Sequence, residues 1–391
     1  MKKTLISVAV LSIMTAPLSI TSAQTQHSST SLYGTLDNGF RWSNKVGQDH
    51  LGNAKQSRMS MNAGGLSGSH LGFKGQEDLG QGASAIFKLE AGINLNTGES
   101  NSSSDSKIYG KKTESKSLFG REAYVGLGHQ ALGYLTMGRQ HTVSYDAIKD
   151  FDPSNNISQH RAIHYLSGYT DLKNNHNRSD ATFKYTHQLN QVTTLASYKP
   201  GNQVGSMTHG SEFAMGLKYK NSNWGLGASF TEIGLAKMQD TAHAHSQALG
   251  KTRIINLAGE YKVDRWKFKA GIARTSIPAM ASGAVLKHPQ LMIPQRDQMA
   301  SFLTVAAWGV QYDLTHKVAL NLSHYAQWHQ QRQSDVLLSK DKRTVMSAVY
   351  HLSKRTDLYS LLEWRSNRAG IAENNRSKNQ QSLTAGLRHR F

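Results

Sequence analysis

The stretch Ser382-Leu383-Thr384-Ala385-Gly386-Leu387-Arg388-His389-Arg390-Phe391 decides how this chain folds. Leu383, Ala385 and Leu387 hold odd positions, while Ser382, Thr384, Gly386, Arg388 and Arg390 hold even ones, and the segment ends on an aromatic ring. Successive side chains of a strand point to opposite faces, so this segment has one apolar and one polar face. A water-soluble sheet would bury the apolar face in a core. A transmembrane β-barrel turns it to lipid and keeps the polar face for its lumen.

The same alternation recurs upstream. Residues 58–78 place Arg58, Ser60, Asn62, His70, Gly72 and Lys74 on one parity and Met59, Met61, Leu71 and Phe73 on the other. Strand pairs follow around short polar turns, such as Gly80-Gln81-Gly82, Asp264-Arg265 and Thr315-His316-Lys317. Between the pairs lie long polar stretches, among them 96–117, 141–177, 232–252, 277–301, 328–343 and 366–381. About 16 strands of roughly 9–11 residues result, with short and long connections in alternation. The expected fold is all-β: a 16-stranded antiparallel transmembrane β-barrel with short periplasmic turns, long extracellular loops and both termini on the periplasmic side. Tyr33, Trp42, Phe73, Trp224, Trp266, Tyr312, Tyr325, Tyr359 and Trp364 fall near strand ends, as the aromatic girdles of a barrel would.

The N-terminus predicts export. Lys2 and Lys3 precede an apolar run to Ile20 broken by Pro17, and Thr21-Ser22-Ala23 offers small residues for cleavage. Residues 1–23 read as a signal peptide and 24–391 as the barrel. No later run of about 18 apolar residues predicts a transmembrane helix. Cysteine is absent, which excludes thiolate metal sites and thiol nucleophiles. The formal net charge of +19 would suggest nucleic acid in a soluble protein, but the bases are scattered and no such motif is present. Lys107, Lys111, Lys112, Lys340, Lys342 and Arg343 fall in predicted loops, within reach of lipopolysaccharide phosphates. His27, His243, His245 and His288 sit in polar segments without metal-ligand spacing, so neither metal nor cofactor is expected. An outer-membrane lipase or an adhesin is the alternative. His324 has outward parity with Leu320 and Leu322, yet the Gly-x-Ser-x-Gly nucleophile motif is missing.

Several pieces together resemble the Gram-negative general porins of the β-proteobacterial and neisserial kind. They are Ser31-Leu32-Tyr33-Gly34, Ser69-His70-Leu71-Gly72-Phe73-Lys74-Gly75, Phe87-Lys88-Leu89-Glu90, Leu118-Phe119-Gly120-Arg121-Glu122-Ala123-Tyr124-Val125-Gly126-Leu127, Gly138-Arg139-Gln140 and the terminal Ala385 to Phe391. The resemblance implies a homotrimer in the outer membrane whose third extracellular loop folds inward and constricts the pore. It implies passive passage of ions and small hydrophilic solutes, without catalysis. In residues 141–177 it assigns Asp150 and Asp152 to an acidic loop, and His70, Arg139 and Arg178 to a basic wall opposite. His70 stands where relatives carry Arg, which predicts a basic cluster that strengthens in acid. Strand parity adds Asp37, Arg41, Arg58 and Lys74 to the lumen. Arg139 and Arg121 have the parity of outward residues, and only a bulge at Gly138 would re-aim Arg139. The basic excess leans the expected selectivity toward anions.

Overall fold

The computed structural model describes residues 28–46, 56–100, 103–105, 114–157, 177–201, 210–234, 251–278, 300–331, 337–368 and 379–391. The expected signal peptide lies outside them, as do His27, Lys107, Lys111, Lys112, His243, His245 and His288. The strands are β1 Ser29–Ser43, β2 Arg58–Ala63, β3 His70–Gly80, β4 Ala83–Gly92, β5 Ser103–Asp105, β6 Glu114–Lys116, β7 Glu122–His129, β8 Gly133–His141, β9 Arg178–Leu189 and β10 Val192–Lys199. They continue as β11 Glu212–Lys220, β12 Trp224–Gly234, β13 Lys251–Val263, β14 Trp266–Ile277, β15 Ser301–Asp313, β16 Val318–Gln331, β17 Leu337–His351, β18 Thr356–Arg368 and β19 Asn379–Arg390. One short helix, α1 Val143–Ile148, and a 3-10 turn, Lys149–Phe151, follow β8.

All strands except β5 and β6, which pair with each other, join one antiparallel sheet of 17 segments. β2 and β3 both pair with β1, through Phe40↔Met61 and Leu32↔Phe73, so they are halves of one interrupted strand. The sheet therefore has 16 strands. It closes because β19 returns to β1, with Asn38 opposite Leu387, and the two strands are tied further by Gly34 and Phe391 exchanging N–H···O bonds of 3.1 Å. Closure leaves no edge unpaired, as a sheet in lipid requires.

The period of two carries through. Leu36, Phe40 and Trp42 are exposed, whereas Thr35, Asp37 and Ser43 are buried. On β19, Leu383 and Leu387 are exposed and Ser382 and Thr384 buried. Residues opposite each other in the ladder share a face, so Leu383 stands beside Trp42 and Ala385 beside Phe40. The outside is thus an apolar band and the inside polar, the inverse of a soluble domain.

Two expectations change. Tyr33, Tyr325 and Tyr359 face inward, not into a girdle, because each has lumen parity on its strand. Tyr33 donates to Glu90 Oε2 at 2.8 Å, and Tyr325 and Tyr359 are almost fully buried. The girdle expectation fits better at Trp224 and Trp266, which lie tilted against Tyr219 and Tyr312 at ring distances of 4.5 Å. Lys340, Lys342 and Arg343 are not in a loop: β17 starts at Leu337 and carries all three, with Arg343 inward at 3.2 Å from Glu363.

Candidate functional site: the pore constriction

After β8 the chain turns into the barrel. Thr142 opens the helix, accepting the Tyr145 N–H on its hydroxyl at 3.3 Å. Val143, Ala147, Ile148 and Phe151 then fall on one face and are fully buried. They pack on Leu195, Ala214, Ala258, Ala307 and Tyr325 of the inner wall. The wall is cut away to receive them. A β-carbon on Gly216 would stand 2.7 Å from Val143, one on Gly225 2.5 Å from the Phe151 ring, and one on Gly227 2.1 Å from the Ala147 carbonyl oxygen. The segment is an inward-folded loop lying on the lumen face of β10 to β16.

Its three carboxylates each find partners at close range. Asp146 pairs with Lys149 at 2.7 Å and with Lys184 of β9 at 2.8 Å. Burial pushes its carboxyl up, but Lys184 and Lys149 outweigh that and hold it far below the usual carboxylate range. Burial likewise pulls the Lys149 ammonium down, and Asp146 more than reverses it, raising it above the ordinary lysine value. Asp150 lies 3.1 Å from Lys218 and 4.0 Å from Lys220, and its carbonyl accepts Lys269 Nζ at 2.9 Å. Burial raises the Asp150 carboxyl and Lys218 and Lys220 lower it, with a net fall. Asp152 is fully buried and accepts bonds from Tyr325 Oη at 2.8 Å, Ser154 Oγ at 2.6 Å and the Asn156 N–H at 2.8 Å. It tethers the loop to β16, with its carboxylate shielded from lumen water.

Glu260 sits among the lysines of the wall. It is nearly buried among Lys220 at 3.5 Å, Lys262 at 3.1 Å and Lys269 at 3.9 Å. Four lysines, counting Lys218, thus surround two carboxylates, Asp150 and Glu260. A second cluster spans β3, β4, β7 and the end of β8. Lys88 bonds Glu122, Arg121 bonds Glu90, His141 Nδ1 lies 3.3 Å from Glu122, and His70 Nε2 lies 4.0 Å from Glu90. His70 also meets the Gly68 carbonyl at 2.8 Å. Arg178 sits within electrostatic reach of Arg121, Glu122 and Glu90, with its Nε buried and without a hydrogen bond among the described residues.

The other expected residues separate from these. Arg41 faces inward on Glu363 at 3.2 Å and Ser382 at 2.9 Å. Arg58 is opposite Ser43 on the lumen parity, and Lys74 lies 5.4 Å above the Tyr33 ring. Asp37 is fully buried. It accepts the N–H groups of Gly65, Leu66 and Ser67 at 2.7 to 2.9 Å and Tyr359 Oη at 2.6 Å. These bonds fold residues 64–69 inward at the break between β2 and β3. Leu66 there joins Ile157, Val345, Tyr359 and Leu361 in one buried cluster. Arg139 is opposite Ala123, in the outward series of Val125 and Leu127, and is held by Asp180 and by the Gly120 carbonyl at 2.6 Å. The register shifts beside it, between Gly138 and Gln140, with Ala181 at φ +49°. His324 faces outward against Thr344 Oγ1 at 2.9 Å.

Sequence reasoning left out Lys184, Lys218, Lys220, Lys269, Arg121 and Glu122. For the lysines a signal existed. Lys218 and Lys220 share parity with Ala214 and Gly216, opposite Met215 and Leu217. Arg121 lies one residue before β7, where the period of two no longer applies.

Residues 7–370 match the Gram-negative porin family. An outer membrane porin protein of Bordetella pertussis is 26% identical over the full length of both chains. Among solved structures, the anion-selective porin from Comamonas acidovorans aligns over 93% of this chain and 100% of its own, with TM-score 0.69 and 19% identity. OmpT of Vibrio cholerae covers 94% and 99% with TM-score 0.62 at 10% identity, and Salmonella typhi OmpF in complex with daunomycin covers 93% and 97% with TM-score 0.62 at 13% identity. The closed 16-stranded barrel, its apolar outside and the loop folded into its lumen agree with this match along nearly the whole chain, which belongs to the Gram-negative porin family and is an outer-membrane diffusion porin.

Proposed function

We propose that this porin is an anion-preferring, homotrimeric channel for ions and small hydrophilic solutes. One observation carries the preference: Asp146 and Asp150 are paired with lysines of the wall the loop rests on, and Asp152 is buried. A loop whose acids are matched locally sets up little opposing charge, so the surplus lysines and arginines dominate the potential at the waist. Lys218, Lys220, Lys262 and Lys269 form one basic face of the filter. Arg178, Lys88 and His70 belong to the other, with Glu90 and Glu122 between them. Arg41, Arg58 and Lys74 extend the basic lining, whereas Arg139 stays on the outward series with Asp180. The anion-selective character of the Comamonas acidovorans porin and the trimer form of Vibrio cholerae OmpT support the reading by analogy. Outer-membrane lipids, including lipopolysaccharide, are the surrounding partners.

The test is the reversal potential of the reconstituted channel across a KCl gradient. An anion-signed potential, with conductance steps in groups of three, is expected. A cation-signed potential would overturn the preference, and steps that never group in threes would overturn the trimer.

A further inference from the structure

The lumen wall of such a barrel is polar, so apolar side chains that face inward need a cover. Val345 of β17 and Tyr359 and Leu361 of β18 are such residues, at 0 to 5% exposure. Their cover comes from two segments far apart in sequence. One is Leu66 of the inward turn 64–69, and the other is Ile157 at the end of the constricting loop. Leu66 and Ile157 are themselves buried. The loop is therefore seated twice, with Phe151 on the wall between β10 and β16 and Ile157 on β17 and β18.

Local backbone geometry carries the loop from the first seat to the second. The Pro153 carbonyl accepts Asn321 Nδ2 of β16 at 3.0 Å, and Asn155 Nδ2 donates to Gln311 Oε1 of β15 at 2.9 Å. Asn155 and Asn156 then take φ of +59° and +60°, the left-handed region that asparagine enters more readily than most residues. That turn delivers Ile157 to the neighbouring β17 and β18. The turn 64–69 is held from three strands. Asp37 of β1 accepts its N–H groups. Tyr359 of β18 bears on Gly65, where a β-carbon would stand 2.1 Å from the hydroxyl oxygen. Arg388 of β19 donates Nη1 to Ser67 Oγ at 2.9 Å, while its Nε and Nη2 bond Asp357. Leu66 thus presents a fixed surface against which the loop end is buried.

We propose that the turn 64–69 is a second constricting element of the pore, and that Leu66 and Ile157 form a clasp that holds the loop end and sets the size limit for solutes. Lys218, Lys220, Lys262 and Lys269 act on the charge of a solute, whereas the clasp is apolar and acts on width alone. Leu66 and Ile157 touch no solute in this role. They are positioning residues that act through the backbone they hold. Truncating either one leaves a gap in the cluster and loosens the loop end from its second seat. Because the two side chains serve one contact, their effects are coupled. The inference goes beyond the anion preference and does not depend on it, since no charged group takes part.

The experiment measures the exclusion limit of the reconstituted channel with neutral polyethylene glycols of graded size, as the largest polymer that still lowers conductance. Leu66→Ala and Ile157→Ala should each raise the open-channel conductance and move the limit to a larger polymer. The double variant should move it no further than the larger single shift, since both changes remove one contact. Leu66→Met keeps the volume and should keep the wild-type limit. The sign of the reversal potential across a KCl gradient should be unchanged throughout. A limit that stays or falls in folded Leu66→Ala would overturn the proposal, as would additive shifts in the double variant or a Leu66→Met limit equal to that of Leu66→Ala. A reversed potential in any variant would place the pair in the charge filter and overturn it too. If Leu66→Ala does not fold, Ile157→Ala decides alone, and an unchanged or smaller limit there overturns the proposal. A cation-signed potential in wild type would sink the anion preference and leave the clasp standing, so the two failures are distinct.

Discussion

Gly227 of β12 and Ala147 of α1 meet so closely that a β-carbon on Gly227 would stand 2.1 Å from the Ala147 carbonyl oxygen. The constricting loop is seated on bare backbone. Its position is fixed by absent side chains in the wall as much as by its own buried Phe151 and Ile148.

Replacing Gly227 with Ala should therefore lift α1 from its seat at a cost of about 1–3 kcal/mol, the usual range for overpacking. Open-channel current should become noisier and its level should shift. Single-channel recording reads both, and a quiet trace at the wild-type level would refute the seating argument.

Removing wall charge should move selectivity directly. In Lys218→Gln with Lys220→Gln, Asp150 loses both its lysine ion pairs. The anion-to-cation permeability ratio is expected to fall roughly two-fold or more, by the charge-ring logic of selective pores. Reversal potentials under a KCl gradient measure it.

Tyr325 ties Asp152 and the Ser154 N–H to β16 at 2.8 and 2.9 Å. Tyr325→Phe keeps the ring and deletes both bonds, leaving a buried carboxylate short of a donor. The expected loss is about 1–3 kcal/mol, read by denaturant-dependent unfolding of the barrel. A stability equal to wild type would show that the tether is dispensable.

Acid should undock the loop late. Asp146 and Asp150 both have carboxyls held below their ordinary value of 3.8. A depressed folded-state pKa contributes stability that is fully present above the unfolded value and is lost as pH falls through the folded one. Docking should thus be unchanged from pH 7.5 to about 4.5, and loosen only below the ordinary carboxylate range of about 4. Conductance and noise recorded across that range would contradict this if they changed between pH 7 and 5 in a His70→Gln, His141→Gln background, where the two nearby imidazoles are gone.

Asp37 gathers three backbone N–H groups and the Tyr359 hydroxyl. Asp37→Ala should cost about 3 kcal/mol or more, since bonds to a charged acceptor are the stronger kind. It should also release residues 64–69 and with them Leu66 from its cluster with Ile157. Protease cleavage appearing within 64–69 would report the release, and continued resistance would count against it.

The sequence by itself determined the number of strands, their faces and the closed barrel. Those features rest on a period of two and on turn residues, both local, and a membrane barrel enforces them at every strand. It also placed His70, Arg41, Lys74 and Asp37 on the inner face. Tertiary structure alone decided what those inner groups do. Asp37 became the acceptor for an inward turn, Asp152 a buried tether and Asp150 a partner of Lys218, because each lies against residues far away in sequence. Arg121 entered the lumen from outside any strand, and Arg139 stayed with Asp180 on the outward series. A charge's role follows from its spatial neighbours and its burial, and alternation along one strand carries no information about either.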